Sequence, residues 1–178
     1  MSAHLPRNWL DEVELAPFDT PVDPSADDAA NVAAFLDMLA DAEGTRRFGD
    51  EDGYNVLVGG GVFDSYADHP RQSVYLPAYE IHSTAAGRYQ FLAGTWDDLV
   101  KRFGYRDFGP VSQDEAAVQL IRQCKALGMV RDGRIRDAIH ACRSIWASLP
   151  GAGYGQREVA TDDLVDAYRL AGGNVAQR

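Results

Sequence analysis

A carboxylate stands on the apolar side of a helix early in this chain. In Phe35-Leu36-Asp37-Met38-Leu39-Ala40-Asp41-Ala42-Glu43-Gly44-Thr45, residues Val32, Phe35, Leu36 and Leu39 recur at helical i, i+3, i+4, i+7 spacing. Glu43 is the next member of that stripe. Gly44 is placed to end the helix as a left-handed cap, which leaves Glu43 in the last turn, at the negative end of the helix dipole. Burial and dipole both push the pKa of a carboxyl in such a place upward. A carboxyl that keeps its proton near neutral pH is what a general acid requires. The competing reading is a solvated glutamate at a helix end.

Breaking a glycosidic bond needs a proton donor for the leaving oxygen and a group that stabilises or traps the anomeric centre. Asp50, Glu51 and Asp52 come soon after Glu43, and Asp52 is a candidate second carboxylate; an acidic solvated loop is the plainer reading. Asn55 can orient an acetamido group or a water, or simply face solvent from a strand. Gly87-Arg88-Tyr89-Gln90 sets a cation, an aromatic ring and an amide side by side, a combination suited to sugar hydroxyls and pyranose faces. Tyr89 and Phe91 can equally be core. Tyr154 and Gln156 lie in the glycine-spaced stretch Pro150-Gly151-Ala152-Gly153-Tyr154-Gly155-Gln156, which reads as a lip closing over substrate or as an ordinary connection.

The elements that must position these groups are mostly helical. Helix patterns run from about Asp27 to Glu43, from a Thr95 cap to Gly104, from the Ser112-Gln113-Asp114-Glu115 capping box to Gly128, over about 133–148, and onward from Thr161. Tyr54-Asn55-Val56-Leu57-Val58 reads as a strand turning at Gly59-Gly60-Gly61 into Val62-Phe63. Residues 64–82 read as irregular, and Ser83 or Thr84 as the cap of a short helix carrying 87–92. The fold class is therefore α+β, mainly helical, with a small β-hairpin lobe. A cleft between a helical and a hairpin lobe suits a linear polymer, with Glu43 at its hinge.

Composition narrows the partners. The 178 residues carry a net charge of −10 with 46% hydrophobic content. That charge excludes a basic stripe for nucleic acid and electrostatic docking on anionic membranes. Residues 1–30 hold seven acids against Arg7 and four of the eight prolines, and read as an extended acidic arm ahead of a domain spanning 31–178. No apolar run is long enough for stable membrane insertion, and no secretory signal opens the chain. Cys124 and Cys142 fall on apolar helix faces as buried free thiols. No metal-ligand spacing occurs, and no cofactor is expected.

Several stretches together resemble a known family. FLDMLADAEGT, GYNVLVGG, DHPR (68–71), AGRYQFL (86–92), SQDE with Ala116 and Ala117, and above all IWASLPGAGYGQ (145–156) are similar to the bacteriophage lambda endolysin family. The likeness runs in order from residue 32 to about 173; residues 1–30 lie outside it. It implies a lysozyme-like fold with a substrate groove between lobes, and a lytic transglycosylase acting on peptidoglycan glycan strands. Such enzymes cleave the β-1,4 bond between N-acetylmuramic acid and N-acetylglucosamine, leaving a 1,6-anhydromuramoyl end. Carried over, Glu43 is the acid and then the base, with Asn55, Arg88, Tyr89, Gln90, Tyr154 and Gln156 as substrate-binding candidates.

Asn55 departs from the family, which has an aspartate there, and the loop before it is three residues shorter. A hydrolytic lysozyme using Glu43 with Asp50 or Asp52 is the competing enzyme, since Asp52-Gly53-Tyr54 matches the pattern of some phage lysozymes. A glycan-binding module without catalysis is the competing non-enzyme. The resemblance further implies a monomer that gathers in a host cytoplasm and reaches the periplasm and wall with a holin or another delivery system.

Overall fold

A computed structural model of the chain describes residues 26–48 and 51–176. The arm residues 1–25, with Trp9, Leu10 and Phe18, and the candidate Asp50 lie outside the described residues. The last five positions assigned to the arm belong to the first helix.

The element order is α1 (Ala26–Glu43), a 3-10 turn (Thr45–Arg47), β1 (Val74–Leu76), β2 (Ile81–Ser83), α2 (Ala93–Phe103), α3 (Pro110–Gln123), α4 (Leu127–Arg131), α5 (Ile135–Cys142) and α6 (Thr161–Leu170). Two compact units are distinguished. One is Leu36–Gln119; the other joins the described residues up to Phe35 to those from Leu120 onward.

In α1 the stripe members Phe35, Leu36 and Leu39 are buried while Val32 is half-buried, and Met38 and Ala40, which lie off the stripe, are fully buried as well; each large apolar side chain contributes roughly 2 kcal/mol on removal from water. Helix α1 ends at Glu43, and Gly44 takes the left-handed conformation at φ 75°, which a Cβ would disfavour.

The strands are not where the sequence pattern puts them. Val56 and Val62 form only an isolated bridge, and Leu57 bridges Ala86. The paired strands are β1 and β2, antiparallel with Tyr75 opposite His82, inside the stretch read as irregular. Both alternate half-buried and exposed residues, so neither carries the apolar run that marks a strand. Segment 84–92 is a turn and not a capped helix: Ser83 ends β2, and Gly87 and Gln90 both have positive φ.

Helix starts differ too. Thr95 lies inside α2, whose Ala93 N–H is accepted by Thr84 Oγ1 at 3.1 Å. The close of α2 matches expectation, with Lys101 and Arg102 before a left-handed Gly104. Helix α3 opens at Pro110 and not at Ser112, because Asp107 Oδ1 accepts from Gly109 N–H and from the Ser112 hydroxyl, both at 2.8 Å; proline suits a first helical position. It stops at Gln123, with left-handed Lys125 turning the chain, and Gly128 lies within α4. The helix expected over 133–148 shortens to α5, and Thr161 is the first residue of α6 with Ala160 as its cap.

The unit Leu36–Gln119 has an aromatic core. Phe108 meets Trp96 edge-on at 4.6 Å and His69 at 4.8 Å. His69, only 3% exposed, accepts from the Arg71 N–H at Nδ1 and therefore donates from Nε2 to the Phe91 carbonyl, 2.8 Å away. Burial holds its pKa below the ordinary histidine value. In the second unit α5 packs on α4 and α6, burying Ala138, Ile139, Leu164, Val165 and Tyr168. Buried Asn31 ties this unit together, donating to the Arg131 carbonyl and accepting from Asn174 N–H, both at 2.8 Å.

Candidate active site

Glu43 is the final residue of α1 and half-buried. The backbone just past it is held from below. Thr45 is buried, and its hydroxyl donates to the Arg88 carbonyl at 2.7 Å, with the Ala40 carbonyl at 3.2 Å. The chain leaving the acid is thereby fastened to the turn at 84–92.

Arg88 occupies a different place from the one its type predicts. It is 3% exposed, and its guanidinium is spent inside the protein. Nη2 donates to Asp37 Oδ1 at 2.6 Å and to Asp52 Oδ2 at 2.9 Å; Nε donates to the Asp52 carbonyl at 3.1 Å; Nη1 donates to the Tyr89 hydroxyl at 2.9 Å. Its Cζ lies over the Tyr54 ring, 5.1 Å from the centroid. Burial lowers its pKa, but Tyr89 and the Asp37 carboxylate outweigh this and hold it above the ordinary arginine value. Four donor contacts at fixed angles are what the guanidinium fork supplies.

Tyr89 is likewise internal, at 1% exposure. Its hydroxyl donates to Asp114 Oδ1 at 2.6 Å, and the Tyr54 hydroxyl donates to the same carboxylate at 2.9 Å. Burial, reinforced by Asp114 and opposed by Arg88, raises Tyr54 to about 12. A chain of alternating charge and hydroxyl thus runs Asp37, Arg88, Tyr89, Asp114, Tyr54. Neither Arg88 nor Tyr89 offers a free group to a ligand; Arg88 holds the helix and loop that flank Glu43 in sequence, and Tyr89 links Arg88 to Asp114 of α3.

Gln113, fully buried, completes the frame. Its Oε1 accepts from Arg88 N–H at 2.8 Å, and its Nε2 donates to the Tyr54 and Phe108 carbonyls at 3.0 and 2.7 Å. The sequence marks it only as part of a capping box; a polar residue satisfied on every side has no signature in one sequence. Gly87 makes room for it. A Cβ on Gly87 would lie 2.3 Å from Gln113 Oε1, on a backbone at φ 78°. Gly87→Ala is therefore expected to cost about 2 kcal/mol from left-handed strain and a displaced amide, read as a lowered urea midpoint at unchanged m-value.

The remaining candidates divide. Gln90 is half-buried, its Nε2 donating to the Gly87 carbonyl at 2.9 Å and the Val56 carbonyl at 3.3 Å. Asn55 is half-buried, and its Oδ1 is buried with no hydrogen-bond partner among the described residues. Asp52 has both carboxylate oxygens engaged, Oδ2 by Arg88 and Oδ1 by Arg46 at 3.0 Å. Glu51 accepts from the Tyr66 hydroxyl.

In the other unit Tyr154 is half-buried, its hydroxyl donating to the Ser144 carbonyl at 2.8 Å, so the side chain is anchored and not freely presented. Gln156 is also half-buried. Glu158 shapes their loop: its two oxygens accept from Gly151 and Gly153 N–H at 2.8 and 2.9 Å. Those backbone bonds hold its carboxyl below the usual glutamate value. Among the described residues no group of three or more histidine, cysteine or acidic side chains is arranged to hold a metal ion, and no helix is long and apolar enough to cross a membrane.

Comparison with known proteins matches this architecture. The endolysin family model matches residues 33–175. The endolysin of Escherichia phage lambda is 50% identical over 147 residues, covering 81% of this chain and 92% of its own length. That of Escherichia phage P2 is 48% identical over 154 residues, covering 80% and 93%. Among solved structures, bacteriophage lambda lysozyme complexed with a chitohexasaccharide superposes with TM-score 0.80 at 44% identity, covering 91% of this chain and all of that one. A second structure of the lambda lysozyme gives 0.76 at the same identity and coverage. The fold is that of the lambda lysozyme, and the chain belongs to the endolysin family.

Proposed function

We propose that this chain cleaves the β-1,4 bond between N-acetylmuramic acid and N-acetylglucosamine in peptidoglycan as a lytic transglycosylase. Glu43 donates its proton to the glycosidic oxygen, the bond to C1 breaks, and the glucosamine side leaves as an alcohol. The Glu43 carboxylate then takes the proton of the muramoyl C6 hydroxyl as O6 bonds to C1. The proton returns to Glu43, no water is consumed, and the product ends in a 1,6-anhydro ring. One carboxyl suffices because the nucleophile belongs to the substrate.

The observation that carries this reading over a hydrolase is the engagement of Asp52. A nucleophile or base needs an unencumbered oxygen at the anomeric centre, and both Asp52 oxygens are held by Arg46 and Arg88. The complex of the lambda lysozyme with a chitohexasaccharide supports a β-1,4-linked amino-sugar strand as ligand. Asn55, Gln90, Tyr154 and Gln156 are the substrate-contacting residues in this reading. Reaching the wall through a pore-forming partner is part of the same proposal.

Mass spectrometry of muropeptides released from purified sacculi tests it. The expected glycan ends are one water lighter than reducing muramic acid; reducing ends alone overturn the transglycosylase in favour of the hydrolase. Asp52→Asn supplies a second arm, with activity expected to stay within about tenfold of wild type, because the change touches a brace and not the proton-transfer group. A hydrolase using Asp52 would be nearly dead.

A further inference from the structure

Phe48 has no role in the chemistry above. It follows Glu43 by five residues in sequence, at the end of the 3-10 turn Thr45–Arg47. Such a turn advances much less per residue than extended chain, so Phe48 stays close along the chain to the acid. Its N–H donates to the Thr45 carbonyl at 3.1 Å, and φ −121° with ψ 144° fixes its backbone as extended. Thr45 is itself fastened through its hydroxyl to the Arg88 carbonyl. Phe48 therefore shares the anchorage of the segment that leaves the acid.

The side chain is 46% exposed. Apolar residues exposed singly are ordinary on protein surfaces; the ring of Phe48 is distinguished by its backing. One side lies against the turn Gly59-Gly60-Gly61. A Cβ on Gly60 would stand 3.0 Å from Phe48 Cε1, 3.2 Å from Cδ1 and 3.4 Å from Cζ, so a side chain at position 60 would push the ring away. Gly60 has φ 93°, which glycine adopts without strain. The neighbouring Gly59 meets β1: a Cβ there would stand 3.7 Å from Val74 Cγ1 and 3.8 Å from Leu76 Cδ2. The ring is thus backed by a turn that itself packs on a strand. Val62, which leaves the same turn, is 49% exposed, so the open apolar surface is not confined to one residue.

We propose that the open side of the Phe48 ring is a stacking surface for one amino-sugar ring of the glycan strand. The proposal rests on the reading of Glu43 as the acid that cleaves that strand. In a β-1,4-linked amino sugar the hydroxyl, acetamido and linking oxygens project around the rim of the ring, and its two faces present C–H groups. Such a face fits an aromatic ring, whose negative π-face attracts the C–H dipoles, while the rim stays hydrated or hydrogen-bonded. Stacking needs no charge. It therefore serves a chain of net charge −10, which has no electrostatic attraction to offer an anionic wall. The role is binding and not proton transfer: the contact is the same before and during bond cleavage, so it acts on affinity and leaves the chemical step alone.

The test measures clearing rate against the concentration of purified sacculi for the full-length wild type and three variants, each well below its melt. Phe48→Ala should raise the apparent KM about tenfold with kcat within about twofold, since covering the open part of the ring is worth about half of its full burial. Phe48→Tyr keeps the flat face and should match wild type within about twofold. Phe48→Leu keeps apolar bulk over Gly60 but has no flat face, and should behave as Phe48→Ala does. An unchanged KM in Phe48→Ala overturns the proposal. So does a Phe48→Leu protein equal to wild type, which would reduce the ring to packing on the glycine turn. A fall in kcat in place of the rise in KM overturns it too, because that marks a loosened acid segment. In each of these cases a wild type that clears sacculi leaves the cleavage reading standing; a wild type inert toward sacculi removes both.

Discussion

Glu43→Gln is expected to lower wall-clearing activity about 1,000-fold or more, because the amide keeps the shape of the side chain but has no proton to give. Every other part of the proposed chemistry is supplied by substrate, so nothing in the site compensates. The structural cost should be small. Glu43 is half-buried at the helix end, the glutamine is isosteric, and a change of this kind stays within about 0.5 kcal/mol. The checks are turbidity loss of purified sacculi beside a thermal melt. An inactive variant with an unshifted melt supports the assignment. A variant retaining a tenth of the wild-type rate would remove Glu43 from the acid role, and a protein inert in both forms would leave a glycan-binding module.

Arg88→Leu is expected to produce the largest loss of stability among single substitutions at the site, about 3 kcal/mol. Truncating one side of a buried ion pair normally costs more than the pair is worth, since its partners stay behind. Here the figure is taken low because the side chains of Asp37 and Asp52 are 34% and 51% exposed and can rehydrate. What cannot rehydrate is the frame: the Asp52 carbonyl loses its donor, and the Tyr89 hydroxyl loses one partner of its chain. For a protein of this size the melt should fall by roughly 6–12 °C. Arg88→Lys should recover little of it, because one ammonium cannot serve Asp37, Asp52 and Tyr89 at their present angles. Activity measured well below the melt should also fall, through kcat more than KM, since the lost contacts orient the acid-bearing segment and not the substrate. An Arg88→Leu protein as stable as wild type would mean that these short contacts contribute nothing net.

The contrast between these two residues shows what a sequence makes legible. Glu43 is visible because it breaks a periodic pattern, and periodicity survives into structure: α1 ends on it, and the inward faces of α5 and α6 carry the residues their spacing names. Arg88 misleads because arginines are mostly surface residues, and only three-dimensional neighbours reveal that its charge is shared by carboxylates 51 and 36 positions away. The strands escape notice for a related reason: over three residues, burial that alternates only between half-buried and exposed leaves no clear apolar–polar pattern in the sequence. The helix start expected at Thr95 fails because Thr84 Oγ1 takes the Ala93 N–H, and the one at Ser112 fails because its hydroxyl is turned to Asp107 while the helix already begins at Pro110. The proposed acid is therefore marked locally, and the scaffolding around it is written in pairs of residues far apart in the chain.

Two glycine-bearing loops in this protein are built to opposite mechanical standards. The turn at 84–92 is clamped by the buried Gln113 amide and the buried Arg88 guanidinium, so solvent reaches it only through the partly exposed carboxylates of Asp37 and Asp52. The loop at 150–156 keeps its shape through Glu158, whose carboxylate is open to water and grips two backbone N–H groups. That grip is in place above the ordinary glutamate pKa and is lost as pH falls through the depressed folded-state value. Competing ions weaken it as well. Local opening of the second loop then has its own, lower free energy, separate from that of the whole fold. It can breathe many times between global unfolding events while the turn that Thr45 fastens to the acid's own segment stays shut. Acid or salt can therefore change how one loop samples its conformations without loosening Glu43 itself.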